Sequence, residues 1–392
     1  MKRWISAVCA AVLVTAAYGQ DLTPNITFSA PDGSTINGVR CATIESPQPG
    51  AGDFQQWLLD HSGMIMGTIN IPVAFHVITA INGTGDVPDD QLQRQIDTLN
   101  SGFEGTGVAF YFSTVDRTVN DSWFYNTLSN DEAMKLALAI DPTHHLNLYT
   151  ANIGGGILGY SYLPWDFPES DYHNGSVVLY SSLPGGSSFP YNQGATANHE
   201  VGHYVGMYHT FENGCSTPGD YIDDTPYESS PAFGCPTGRN TCVSDPGVDP
   251  IHNYMDYSDD ACMYEMTQGQ GERMQWAITT YRPGLLVAAS VPNPPSDLTA
   301  YSDYAMPTSI QLGWTDPTNL VTGDTLLIGY YHIFLSRDGV LLDSVSGGVG
   351  QYIDGGLNEG QEYTYEIYAR LDSSTLLGNS ALVSWIGGRV RN

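Results

Sequence analysis

His199 and His203 stand four residues apart with Glu200 beside the first, and Gly206 and His209 complete an H-E-x-x-H-x-x-G-x-x-H pattern over residues 199–209. On a helix, positions i and i+4 share a face, so both imidazoles can reach one divalent cation. Glu200 lies close enough to take a proton from a metal-associated water without ligating the metal. Gly206 lets the backbone leave the helix at an angle that a side chain opposes. That turn can bring His209 round as a third ligand. Three protein ligands with one position left for water is the catalytic zinc pattern, not the structural one. The chemistry is hydrolysis: zinc lowers the pKa of its water towards about 7, and Glu200 accepts the proton and delivers it to the leaving amine. Five fixed positions match by accident in roughly one chain in 10⁴ to 10⁵ of this length, and histidine is scarce here, ten in 392 residues. Neither a G-x-S-x-G elbow nor a phosphate-binding P-loop occurs in the sequence.

Cys215, Cys235, Cys242 and Cys262 fall within 48 residues just after this motif. In an exported chain four cysteines usually form two disulfides, with three connectivities open. A second metal site is the weaker reading, because no C-x-x-C pair is present. Cys41 stands alone upstream. Four sequons, at Asn25, Asn82, Asn120 and Asn174, permit glycosylation in a eukaryotic host. His144, His145 and His252 read as surface or core residues.

Lys2 and Arg3 precede an apolar run from Trp4 to Ala17, and Ala17-Tyr18-Gly19 is a small-x-small cleavage site. This reads as a secretory signal peptide, too short for a membrane span. No other stretch is long and apolar enough to cross a bilayer. Cysteine usage agrees with export, since Cys9 leaves with the leader. Removing 19 residues leaves 11 basic residues against 42 acidic ones. Such a surface disfavours nucleic acid and anionic membranes as partners and favours calcium, basic substrates and solubility in salt.

The elements that must position the motif alternate between two periods. Ile71–Ile78, Val108–Phe112, Leu146–Thr150 and Ser176–Tyr180 read as strands. Leu92, Ile96, Leu99 and Phe103 recur at helical spacing over Gln91–Phe103. The motif helix begins near Thr196, an apt N-cap. Residues 20–60 show little periodicity. Together these imply an α/β sheet packed on at least two helices. Arg282-Pro283-Gly284 and Val291-Pro292-Asn293-Pro294-Pro295 mark a break. Beyond it, Ser309–Trp314 and Tyr363–Ala369 alternate, as in a β-sandwich. The expected divisions are 1–19 signal peptide, 20–60 pro-segment, 61–284 catalytic domain, 285–294 linker and 295–392 β domain.

With Thr210-Phe211-Glu212 after the third histidine, the extended motif resembles the pappalysin family of metzincin metallopeptidases. Asn253-Tyr254-Met255-Asp256-Tyr257 resembles the methionine turn of that clan. The resemblance runs through much of 70–282, including Gln95–Asn100 and Gly155–Tyr160. It implies a metzincin-like α/β catalytic domain, a twisted mixed sheet plus a zinc helix, and a zinc endopeptidase acting on proteins or peptides. It implies that Met255 forms the floor beneath the histidines and that Tyr257 hydrogen-bonds the reacting carbonyl group. It also implies Cys215–Cys242 and Cys235–Cys262 as disulfides. Each closes a loop worth on the order of 3 kcal/mol in the chain-entropy model. Gly219–Pro226 resembles a calcium-binding stretch, with Asp220, Asp224 and Thr225 as ligands. Gly38–Thr43 resembles the latency segment of the family, in which the Cys41 thiolate would take the open zinc position. Family members that prefer arginine after the scissile bond carry an acid just before the cysteine that follows the methionine turn. Ala261 stands there, after Asp259 and Asp260, which puts an arginine preference in doubt and points to a looser or apolar preference. The tail resembles a fibronectin type III domain through Trp314, Leu357, Gly360, Tyr363, Tyr365, Ile367 and Ala369, implying a spacer or a binder of extracellular polymer or protein. The competing reading is a catalytically inert extracellular binding protein on a metzincin scaffold. Glu200 argues against it, since an inert scaffold does not need that carboxylate.

Overall fold

A computed structural model describes residues 23–49, 53–61, 68–287, 292–303, 305–319, 326, 328, 331–371 and 381–386. The expected signal peptide lies outside the described residues. The chain divides into two compact units between Val287 and Ala288. The first opens with a hairpin of β1 (Ile26–Ser29) and β2 (Thr35–Gly38), followed by α1 (Asp53–His61). It continues through β3 (Ile69–Thr79), α2 (Asp89–Gly102), β4 (Val108–Val119), α3 (Asp121–Tyr125), α4 (Asp131–Leu138), β5 (Leu146–Ala151), β6 (Gly159–Tyr160), β7 (Ser176–Leu179), α5 (Ala195–Tyr204) and α6 (Gln268–Tyr281).

Five strands form one sheet in the order β4-β3-β5-β7-β6, all parallel except the edge strand β6. β3 is buried at ten of its eleven positions, as expected for a strand inside a parallel sheet covered on both faces. α2 turns Leu92, Ile96 and Leu99 onto the sheet, and α5 adds Ala197, Val201 and Tyr204 to the same core. Met255, Met274 and Ile278 close that core from beneath α5. The sheet is mixed and helices lie against it, as the sequence pattern implied.

Three readings of the sequence need correction. Thr196 does not cap the zinc helix. The N-cap is Gly194, which has no side chain to offer, and Asp260 supplies the acceptor instead: its Oδ2 takes hydrogen bonds from Gln193 N at 2.8 Å and Ala195 N at 3.4 Å. Residues 20–60, which lack a periodic pattern, nevertheless hold a hairpin and a helix. Ile26 and Phe28 bury against Leu158, Leu179 and Tyr191, so this hairpin exists because the catalytic unit completes its core. β4 runs to Val119, seven residues beyond the five read as a strand.

The second unit is all-β. β8 (Ser296–Tyr301), β9 (Ser309–Thr315), β10 (Tyr331–Arg337), β11 (Val340–Ser346), β12 (Gln351–Gly355), β13 (Glu362–Leu371) and β14 (Ala381–Ile386) form two antiparallel sheets, β11-β10-β13-β14 and β12-β9-β8. Trp314, Leu357, Tyr363, Tyr365, Ile367 and Ala369 share one core.

Candidate metal centre

Every residue of α5 is buried, and its histidines sit one turn apart with their Nε2 atoms 3.2 Å from each other. The helix stops at Tyr204. Gly206 takes φ +99°, and a Cβ there would lie 2.6 Å from Ala277 Cβ, so glycine meets both the conformation and the close approach of α6. Arg273 of α6 donates from Nε to Gly206 O at 2.8 Å and holds this turn. The turn carries His209 back until its Nε2 is 3.2 Å from those of both His199 and His203.

The Nδ1 atoms show what the Nε2 atoms are for. His199 Nδ1 faces Tyr254 O at 2.7 Å, His203 Nδ1 faces Met207 O at 2.9 Å, and His209 Nδ1 faces Glu45 Oε1 at 2.9 Å. Each partner is an acceptor, so each ring carries its proton on Nδ1 and aims a bare Nε2 lone pair at the same point. Three acceptors cannot bond one another. Zn²⁺ held about 2.0–2.1 Å from three imidazoles in tetrahedral geometry puts them about 3.3 Å apart, which matches the spacing here. Burial, first of all, lowers all three basicities, helped by the neighbouring imidazoles at His199 and His203 and by Arg40 at His209; His203 and His209 fall to about 3, so the rings are neutral ligands at neutral pH. Cys41 Sγ lies 3.6 Å from His203 Nε2, and the four ligand atoms fall within 4.8 Å of one another.

Glu200 points at the same spot. Its Oε2 accepts from Thr43 Oγ1 at 2.9 Å and lies 3.5 Å from Cys41 Sγ, while Oε1 is buried without a partner. Burial raises its pKa to about 8. A Cβ on Gly159 would sit 2.6 Å from Glu200 Cγ, so the edge strand must carry glycine opposite this carboxylate. Met255 is fully buried with its sulfur against Gly202 on the underside of α5. Its turn holds two of the ligands: Tyr254 O receives His199 Nδ1, and Met255 O accepts from Thr210 N at 3.3 Å. Tyr257 OH lies 3.2 Å from His209 Nε2, its ring edge-on to that imidazole. Disulfides Cys215–Cys242 and Cys235–Cys262 tie the 210–262 segment around this turn.

Residues 39–49 run along this cleft. Val39 pairs parallel to Ile157, and Ala42 N donates to Gly159 O at 2.9 Å, so the segment adds a strand to the free side of β6. Arg40 is fully buried beside Tyr191. It donates to Thr196 Oγ1 at 2.9 Å, and its guanidinium is 3.9 Å from Asp260. Asp260 is buried while Ala261 is exposed. Of the calcium candidates, Asp220 and Thr225 meet, with Thr225 Oγ1 2.7 and 2.8 Å from the two carboxylate oxygens. Asp224 is not brought to them: it accepts from Thr267 Oγ1 and Gly269 N at the start of α6. Thr43, Glu45, Gly159, Asp260 and Arg273 were missed by sequence reasoning. Each lies far along the chain from the motif, and only Asp260, next to a cysteine after the methionine turn, carried a local signal.

The family described as pregnancy-associated plasma protein-A, peptidase M43, matches residues 128–279. An extracellular metalloprotease of Neurospora crassa is 44% identical over 220 residues, 55% of this chain and 76% of that protein. Extracellular metalloprotease 1 of Coccidioides posadasii is 40% identical over 252 residues, 62% of this chain and 90% of that protein. The chain belongs to the pappalysin family of metzincin metallopeptidases. It is a zinc metalloendopeptidase. A solved structure of a promirolysin mutant from Tannerella forsythia resembles the peptidase at 27% identity and a TM-score of 0.53, covering 60% of this chain and 90% of that one. Mature mirolysin from the same organism, in complex with a cleaved peptide, does so at 29% and 0.50, covering 57% and 97%. Among the described residues of the peptidase, no helix is long and apolar enough to cross a membrane.

Proposed function

We propose that this peptidase is exported through its 1–19 leader and is latent as long as the pro-segment keeps residues 39–49 in the cleft. The observation that carries the reading is the convergence of three unprotonated Nε2 atoms, the Cys41 thiol and the Glu200 carboxylate on one point. His199, His203 and His209 would hold zinc, which would supply Lewis acidity towards a water and the scissile carbonyl. Glu200 takes the proton from the attacking water and hands it to the leaving amine. Tyr257, with its hydroxyl beside the ligands, donates a hydrogen bond to the oxygen on which charge develops, a contribution of a few kcal/mol. In the latent chain the Cys41 thiol, beside His203 Nε2, would take the fourth position of that site, and Thr43 holds Glu200 through its hydroxyl. Unprocessed Cys41→Ala protein should cleave casein faster than unprocessed wild type; equal rates would count against thiol latency.

The Arg40 pocket supports arginine as a preferred side chain next to the scissile bond. Ala261 cannot supply the acid, but Asp260, one residue earlier, reaches the guanidinium from a buried position. Asp260→Asn should lower kcat/KM for arginine peptides and leave norleucine peptides nearly unchanged; an equal loss on both would remove the assignment. For the second unit a fibronectin type III identity is supported by the four-plus-three strand arrangement, by buried Trp314 and by Tyr363 OH accepting from Asn358 N at 3.0 Å. Its role as a binder of extracellular polymer or protein is tested by pull-down of insoluble polymers with and without residues 295–392. Calcium remains a proposal for Asp220 and Thr225, whose carboxylate and hydroxyl suit a hard cation. Calcium addition to chelated protein should raise its Tm, and Asp220→Asn should abolish that rise.

A further inference from the structure

We propose that Arg273 is a carboxylate-binding subsite of the cleft, which the pro-segment fills with the neutral side chain of Gln48. The proposal rests on the latency reading only in that residues 39–49 leave the cleft on activation.

Arg273 is fully buried, and no carboxylate lies within ion-pair distance of it among the described residues. Its Nε is committed to Gly206 O, and one terminal nitrogen donates to Gln48 Oε1 at 2.8 Å. The other, NH1, is buried with no partner. Gln48, nearly as buried, has the matching defect: its Nε2 is also a buried donor with no partner. Two groups that share one good hydrogen bond therefore each leave a donor unsatisfied. A carboxylate in place of the carboxamide has the same shape and exchanges the unpaired NH₂ for a second acceptor. That is the fork-on-fork arrangement guanidinium favours. The surroundings strengthen such a pair. Tyr208, Tyr221, Trp165 and Trp276 place their ring centroids 5.0, 5.4, 5.9 and 5.6 Å from the guanidinium carbon, and Phe54 of α1 adds a fifth ring at 5.5 Å. Burial lowers the Arg273 pKa only to about 10, so it is cationic at neutral pH.

The place is built to hold a peptide as well as a charge. Pro47 and Pro49 flank Gln48 and keep it extended. Tyr208 OH donates to Ser46 O and Tyr281 OH to Pro49 O, both at 2.8 Å, so the backbone is gripped on each side of the probing residue. When the pro-segment leaves, Phe54 goes with it, and the other four rings and the guanidinium remain. The subsite then opens where Gln48 lay, and its ligand class is an acidic side chain or a terminal carboxylate. A glutamine in the pro-segment is the weaker occupant, which lets it be released.

The test uses the peptide Val39–Pro49 with Cys41→Ser, so that the thiol contributes nothing, as an inhibitor of the activated enzyme. Gln48→Glu in this peptide should lower its Ki at least tenfold, and Gln48→Met should raise it. The enzyme is strongly acidic, so non-specific charge acts against the glutamate peptide, and a gain reports the subsite alone. Full-length protein carrying Gln48→Glu gives a second reading: its Tm should rise and its activation should slow about tenfold. Activated Arg273→Met enzyme, if folded, should bind the glutamine and glutamate peptides alike. A glutamate peptide no tighter than its parent, or a full-length Gln48→Glu chain that is less stable and activates faster, overturns the proposal.

Discussion

Glu200 and Gly159 set the chemistry at the scale of single residues. Glu200 has one oxygen on Thr43 and one unpaired, and both lie beside the ligand cluster. Glu200→Gln should keep bound zinc, by elemental analysis, and lose roughly 10²–10⁴ in kcat, the usual share of general acid–base catalysis. Activity within tenfold of wild type would withdraw the base assignment. Gly159→Ala adds a methyl 2.6 Å from Glu200 Cγ, so it should reduce kcat while leaving zinc content intact. The histidines were legible in the sequence because their spacing is a property of one helix and one turn. Cys41 was legible as an odd cysteine, but its destination was supplied by family resemblance. Arg40 and Gln48 carried no signal of their own, since a lone arginine or glutamine in an aperiodic stretch looks like any solvated residue.

At the scale of elements, the turn after α5 and the disulfide-tied segment do the positioning. Gly206→Ala forces a methyl into Ala277 at a φ that L-residues avoid, costing roughly 1–3 kcal/mol. Because the turn carries His209, zinc affinity measured by chelator competition should also fall by roughly 10–100-fold. An unchanged zinc Kd would mean that His209 is positioned by something else. Replacing Cys235 and Cys262 together by serine opens a loop of sequence separation 27, for which about 3 kcal/mol is expected in denaturant melts. The elements themselves were only partly legible. β3, β5 and β7 were read almost to their ends because both faces of these strands are covered. The N-terminal hairpin was not, because Ile26 and Phe28 are buried by Leu158, Leu179 and Tyr191, more than a hundred residues away.

Across the whole molecule, buried acids govern stability against pH. Burial raises Glu228 to about 8 and Asp220 to about 7, against ordinary carboxylate values near 4. The folded chain therefore holds protons that the unfolded chain has released between about pH 4 and 8, so stability rises as pH falls through this window and is lost as pH climbs towards 8. Calcium-free, zinc-loaded, unprocessed protein should melt roughly 2–4 °C higher at pH 6.5 than at pH 8.5. A higher Tm at pH 8.5 would show that these acids are ionised in the native state, as a bound cation at Asp220 would make them.

The sequence by itself determined the metal chemistry. Residues 199, 203, 206 and 209 lie within three helical turns of chain, and local geometry decides what they can hold. The switch to short alternating strands after residue 295 likewise declared an all-β unit. Only the tertiary structure decided what surrounds the metal. Residues 40–48 on the cleft, Gly159 opposite Glu200, Asp260 at the start of α5 and Arg273 under the Gly206 turn are brought together across about 40 to 225 residues of chain. Such meetings depend on how the sheet, the edge strand and α6 pack, and no spacing along the chain encodes them.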